Sequence, residues 1–212
     1  MNSNDIQKMY TKRASFYHAL FVDFLRVGKT IENFLRKSDY VKPHFKILDA
    51  GCGTGNVTRA LYTIAKEKRY EGVVFNGFDL TVAMLDLFQK WIEKVGATNI
   101  TLKQINVLNL EQLPSDWNGY DRIVSLGMLE HLPKDKLGQA LRGLQRLLKD
   151  DGKLLVVIAE RNFISRFFVS LWWKYTMYEE KELREIFHSA GFNELNVMKF
   201  SWYSMFMVEA RK

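Results

Sequence analysis

Hydropathy patterning along this chain predicts an α/β fold, a parallel sheet with helices covering both of its faces. Three observations carry that expectation. Strand-like apolar runs near residues 45–49, 73–79, 100–106, 122–126 and 153–159 alternate with helix-like segments at 57–68, 81–95 and 134–149. Between the first strand and the first helix stands a tight glycine turn, Gly51-Cys52-Gly53-Thr54-Gly55. After the fifth strand, 179–190 reads as a helix stopped by Gly191, and 194–200 with 205–211 read as two closing strands.

Bulk numbers bound the rest. A chain of 212 residues with 47% hydrophobic content has enough apolar surface for one well-buried core and reads as one domain. Its single cysteine, Cys52, excludes an internal disulfide and a cysteine-based metal cluster, and the four scattered histidines offer no metal-ligand spacing. A reducing, cytoplasmic compartment is expected. The formal net charge of +7 raises the question of nucleic acid or an anionic membrane surface. Lys and Arg are scattered rather than gathered in a block, however, so a solvated basic surface is the plainer account of the charge. Residues 1–30 hold no long apolar segment and open with Asp5, Lys8, Lys12 and Arg13, so no secretory signal is read there. No run reaches the roughly 18–20 apolar residues that span a bilayer.

Residues 5–37 read as one or two helices, because Met9, Phe16, Leu20, Phe21, Phe24, Leu25, Ile31, Phe34 and Leu35 fall near three- and four-residue spacing. Pro43 marks the end of this N-terminal extension, residues 1–42, and the start of the core domain, residues 43–212. The core begins with Lys46-Ile47-Leu48-Asp49-Ala50, then the glycine turn, then Val57, Ala60, Leu61 and Ile64 at helical spacing. A strand, a glycine loop and a helix in that order let a ligand approach the backbone closely and meet the unpaired N–H groups of a helix N-terminus. The dinucleotide fingerprint wants a third glycine where this chain has Asn56, and no Lys-Ser/Thr pair follows as in a phosphate-binding P-loop.

Asp49-Ala50-Gly51-Cys52-Gly53-Thr54-Gly55 resembles motif I of the class I S-adenosylmethionine-dependent methyltransferases, small-molecule type, and later stretches extend the match in order. The resemblance covers about residues 46–212 and says little of residues 1–42. It implies a Rossmann-like three-layer sandwich with a seven-stranded, mostly parallel sheet whose last strand is antiparallel. It also implies S-adenosylmethionine as cofactor and S-adenosylhomocysteine as product. Gly51, Gly53 and Gly55 then form the close-approach loop, and Asp49 accepts hydrogen bonds from that loop and orients the cofactor's amino group. Asp79, ending Gly77-Phe78-Asp79-Leu80 at the carboxyl end of the second strand, holds the ribose hydroxyls or caps the helix that begins near Thr81. Leu80 and Met84 flank the adenine, although a methionine also serves as gap-filling core. Asn106 and Val107 follow the third strand where relatives carry an acidic residue; the amide oxygen still accepts a hydrogen bond, without the charge. Leu126 and Gly127 line the methionine end.

Glu130 and His131 in Glu130-His131-Leu132-Pro133 invite a catalytic reading, since histidine titrates near neutrality, and a structural one, since the tetrapeptide recurs in relatives with unrelated acceptors. Tyr17, His18, Glu160, Arg161 and Tyr178 stand on the expected acceptor side. Aromatic segments at 16–24 and 163–178 point to an apolar or aromatic acceptor, quinone-like or lipid-like, methylated by in-line displacement. Two other functions fit parts of the pattern. A nucleic-acid methyltransferase fits the charge, but the fourth strand ends in Ser125-Leu126-Gly127-Met128 rather than the Asn/Asp-Pro-Pro-aromatic motif of base-amine methylation. A non-catalytic cofactor-binding or membrane-surface module fits residues 163–178 with Arg161, Arg166 and Lys174 interspersed, as a peripheral amphipathic segment.

Overall fold

The computed structural model of the protein describes residues 27–161, 176–200 and 205–212. The expected helix over residues 5–26 and the aromatic stretch 163–175 lie outside the described residues. The chain divides after Asn106 into two compact units.

In the first unit, helix α1 (Val27–Lys37) buries Ile31 and Leu35, four residues apart, and turns Glu32 and Arg36 outward as an i,i+4 pair at 2.8 Å. Arg36 also pairs with Glu67 at the end of α2 (Asn56–Glu67), so one guanidinium ties two helix ends together. Tyr40 and Val41 are buried behind it. Residues 27–41 thus share the unit that contains β1 (Lys46–Ala50), β2 (Val74–Asp79) and β3 (Ile100–Gln104). Strands β1 and β2 are buried almost without interruption, as strands covered on both faces must be, whereas β3 alternates toward exposure. Both pairings are parallel, Lys46 opposite Val74 and Phe75 opposite Ile100. Helix α3 (Val82–Val95) turns Met84, Leu85, Phe88 and Ile92 inward and stops at Gly96, whose φ of 64° forms a left-handed cap.

The second unit is built on β4 (Tyr120–Leu126) and β5 (Leu148–Ala159), parallel from Arg122 opposite Lys153 to Leu126 opposite Val157. Tyr120 pairs instead with Leu148, so residues 149–152 are an excursion from the ladder. Lys149 Nζ reaches Asp121 Oδ1 at 2.6 Å across it. The helix expected over 134–149 is shorter: a single 3-10 turn at Lys134–Lys136 precedes α4 (Leu137–Leu147), and extended backbone at Leu148 ends it. Leu137, Ala140, Leu141 and Leu144 form its buried stripe. Helix α5 (Glu180–Ser189) buries Leu183 and Phe187. Strand β6 (Glu194–Phe200) pairs antiparallel with β7 (Met205–Arg211), and β7 antiparallel with β5. Seven strands make one sheet in the order β3-β2-β1-β4-β5-β7-β6. The seven-stranded, mostly parallel sheet with an antiparallel last strand is the architecture expected from the sequence.

Candidate functional site

At the carboxyl end of β1 the backbone must reverse into α2 within five residues. Gly51, Gly53 and Gly55 make the turn at φ of 76°, 52° and 86°, conformations that side chains disfavour. Gly55 is constrained twice, since a Cβ there would overlap the Phe88 ring. At Gly53 nothing lies within 4 Å of the position a Cβ would take, so the loop presents bare backbone to open space at its apex.

Main-chain bonds lace this loop to the end of β2. The N–H groups of Gly51 and Cys52 both donate to the Phe78 carbonyl, at 2.8 and 2.9 Å. Asp79 then joins three pieces of chain. Its Oδ2 accepts from Gly53 N–H at 2.9 Å, its Oδ1 from Thr81 N–H at 2.8 Å, and its carbonyl from Ile105 N–H at 3.1 Å. That carboxylate thus holds the backbone at Thr81, where the chain turns into α3 as the capping reading expected, and anchors the glycine loop. Burial pushes its pKa up, and the Thr81 and Gly53 bonds pull the other way.

Asp49 is nearly fully buried. Its Oδ2 accepts from Thr58 Oγ1 at 2.7 Å and from Thr58 N–H at 3.3 Å. The expected donors were in the glycine loop; the observed ones belong to the first turn of α2, because β1 runs beneath that turn. Thr58 was not read from the sequence, where the only signal is a hydroxyl at the start of a helix nine residues after a strand-end carboxylate. Burial raises the Asp49 pKa to about 6, the Thr58 bonds oppose the rise, and the Asp79 charge adds to it. Neither carboxylate has an ion-pair partner among the described residues. Two neighbouring carboxylates in a poorly hydrated place, beside bare backbone, favour a ligand that carries positive charge and hydroxyl donors. Bare backbone at the loop apex beside a strand-end carboxylate is a donor and acceptor set that fits S-adenosylmethionine.

The other positions in this unit differ in what they present. Leu80 is half-buried, its carbonyl held by Gln104 Nε2 at 3.1 Å. Met84 is 2% exposed and belongs to the buried stripe of α3, the gap-filling alternative. Asn106 is half-buried beside Ile105. The sequence also gave no sign of Arg59, whose guanidinium lies 5.0 Å from the Trp91 ring centre and 5.7 Å from that of Phe88.

In the second unit Val107 is buried, Leu126 ends β4 half-buried, and Gly127 follows at φ 71° with its N–H on the Val157 carbonyl at 3.2 Å. A single 3-10 turn, Leu129–His131, comes next and is buried throughout. Burial lowers the His131 pKa to about 4, against a hydrogen bond with the Gly127 backbone, so the ring is neutral at pH 7 and a poor proton acceptor. Burial raises the Glu130 pKa to about 8. Tyr178 is not at a mouth: it is fully buried and bridges to Glu160 beyond the end of β5. Glu160 and Arg161 are engaged in ion pairs, Glu160 with Lys199 at 3.4 Å and Arg161 with Glu179 at 3.4 Å and Glu182 at 3.6 Å. Tyr17 and His18 lie outside the described residues.

Residues 47–152 match a family model described as a methyltransferase domain. The chain is 28% identical over 164 residues to the chloroplastic 2-methyl-6-phytyl-1,4-hydroquinone methyltransferase 1 of Oryza sativa subsp. japonica, covering 74% of this chain and 44% of that one. It is 27% identical to the Arabidopsis thaliana 2-methyl-6-phytyl-1,4-hydroquinone methyltransferase, covering 81% and 48%. It thus spans about half the length of these curated relatives. Among solved structures, the magnesium protoporphyrin IX methyltransferase of Synechocystis PCC 6803 with bound S-adenosylhomocysteine superposes with a TM-score of 0.74 at 17% identity over the whole of both chains. The mitomycin 7-O-methyltransferase does so at 0.75 and 18%, covering 100% of this chain and 61% of the other. With its glycine turn and sheet order beside that match, this chain belongs to the methyltransferase domain family and has the Rossmann-like fold of the class I methyltransferases.

Proposed function

We propose that this chain transfers a methyl group from S-adenosylmethionine to a small apolar or aromatic acceptor by in-line displacement. The observation that carries the reading is Asp79, which fixes the Gly53 N–H while its carboxylate stays partly exposed beside the open apex of the loop. The Gly53 and Thr81 N–H groups hold the carboxylate, the Thr81 hydroxyl and Leu80 N–H are its weaker partners, and because it stays partly exposed a ribose diol can take their place. When bound, S-adenosylmethionine supplies an electrophilic methyl on a sulfonium sulfur. The protein's part is to hold the donor, exclude water and leave the methyl open to attack, work that positioning alone can accomplish.

The acceptor class rests on two supports. The aromatic content of residues 16–24 and 163–178 is one, and the hydroquinone and porphyrin named for the relatives is the other. With His131 neutral and weakly basic, an acceptor that loses its proton readily, such as a hydroquinone or phenol, suits the site better than an aliphatic alcohol. Residues 1–42 are proposed to form the acceptor-side extension and 43–212 the cofactor-binding domain. Cys52, a single buried thiol, is consistent with a reducing, cytoplasmic location. No helix among the described residues is long and apolar enough to cross a membrane. Calorimetric titration with S-adenosylmethionine and S-adenosylhomocysteine tests the reading. Micromolar binding of both is expected, followed by methyl transfer to a panel of substituted hydroquinones and phenols. Absence of binding would overturn it.

A further inference from the structure

The methyl-transfer reading leaves one buried titratable group without a task. Glu130 is 1% exposed, its Oε2 has no hydrogen-bond partner among the described residues, and the bond its carboxyl does make is with its own N–H. The titratable group facing it from a neighbouring element is the Tyr178 phenol, itself fully buried. That phenol lies by Thr176 but meets no partner at hydrogen-bonding geometry among the described residues, and Thr176 Oγ1 donates to the Leu132 carbonyl at 2.8 Å. Among the described residues, the cations nearby in the chain are committed elsewhere: Lys134 pairs with Glu182, and Arg161 with Glu179 and Glu182.

We propose that Glu130 is a positioning residue whose carboxyl, uncharged while sealed in, lets the main-chain bonds of its turn hold residues 176–178 closed on the turn that follows Gly127, so that removing its proton opens the turn and releases the cofactor. The inference rests on the methyl-transfer reading, which places Leu126 and Gly127 at the cofactor's methionine end.

An ionised carboxylate buried without a cation or a full set of donors is costly, and the least disruptive relief is to open the turn to water. Opening it breaks the bond from Thr176 N–H to the Glu130 carbonyl, at 2.8 Å, and the adjoining Thr176–Leu132 bond. It also loosens His131 from the Gly127 backbone. The strand bridge between Glu160 and Tyr178 keeps the other side of this junction in place, with Tyr178 N–H on the Ala159 carbonyl at 3.2 Å and Arg161 N–H on the Tyr178 carbonyl at 2.8 Å. The movement is thereby directed into the Gly127–His131 turn. Burial raises the carboxyl's pKa from the ordinary glutamate range to about 8, so the change falls within reach of ordinary buffers.

The test is calorimetric titration of the full chain with S-adenosylhomocysteine from pH 6.5 to 9.5, for the parent and for Glu130→Gln, whose amide mimics the neutral acid. If the ionised form does not bind, parent affinity falls tenfold per pH unit above its titration, a loss of roughly 30-fold by pH 9.5 relative to Glu130→Gln. Titration of the ligand's own amino group occurs in both proteins and cancels in that ratio. A ratio that stays constant with pH overturns the proposal while leaving the methyl-transfer reading intact. Absence of binding by the parent at pH 7 overturns the reading, and the proposal with it. Should Glu130→Gln not fold, Tyr178→Phe replaces it: removing the phenol that faces the carboxyl moves the fall in affinity to higher pH, and an unmoved fall overturns the proposal.

Discussion

Replacing Asp79 with Asn removes one of the two charge-assisted main-chain bonds by which this side chain ties the glycine loop to the start of α3. Asp79 accepts from Gly53 N–H at 2.9 Å and from Thr81 N–H at 2.8 Å, one on each oxygen. An asparagine has a single acceptor oxygen, so its NH2 must face one of those N–H groups. A hydrogen bond to a charged group is worth about 1.5–3 kcal/mol, and loss of one of the pair sets the cost of Asp79→Asn near that range. Relief from burying a carboxylate returns part of it, so a value at the lower end is expected. For a chain of this size each kcal/mol moves the melting temperature by about 2–4 °C, which puts the expected fall at roughly 3–6 °C. The same residue is assigned the ribose hydroxyls, so affinity for S-adenosylhomocysteine should fall tens-fold in the variant while it is still folded. Denaturant unfolding reads the first effect and calorimetry at 20 °C the second. Unchanged stability would refute the anchoring role, and unchanged affinity in a folded variant would refute the ribose role; the two outcomes are independent.

Thr58→Val removes the hydroxyl that Asp49 Oδ2 holds at 2.7 Å; the Asp49 pKa should rise further above about 6, as read by carboxyl NMR titration, with a loss of about 1 kcal/mol in denaturant unfolding. Because Asp49 in the folded protein keeps its proton to higher pH than in the unfolded chain, its contribution to stability is full below about pH 4. That contribution diminishes as pH rises through about 6, and Asp49→Asn should flatten this part of the stability profile. Gly152→Ala would set a Cβ 2.9 Å from the Tyr120 and Lys149 carbonyl oxygens, both backbone, and should cost about 1–3 kcal/mol. Gly119→Ala meets nothing within 4 Å and bears only the strain of φ 65°, about 1 kcal/mol; an equal cost for the two substitutions would contradict the packing account of residues 149–152.

Much of the fold was legible because its signals are local. The strand before Gly51, the helix after Gly55 and the closing strands at 194–200 and 205–211 follow from apolar period and turn residues within a few positions of one another. The glycine loop was likewise readable as a tight strand-to-helix turn, since three glycines within five residues mark backbone that side chains would not allow. The excursion at 149–152 was not, because a register shift between β4 and β5 depends on two segments at once.

The sequence by itself determined the order of elements, the α/β class and the residue types at the glycine loop, all properties of short stretches whose backbone preferences act before any tertiary contact forms. Only the tertiary structure decided that Asp49 is held by Thr58 rather than by the loop, that Asp79 grips Gly53 across 26 residues, and that Glu130 is sealed in while Tyr178 closes over its turn. Those outcomes turn on desolvation and on partners far apart in the chain. Neither is encoded in the identity of any one residue.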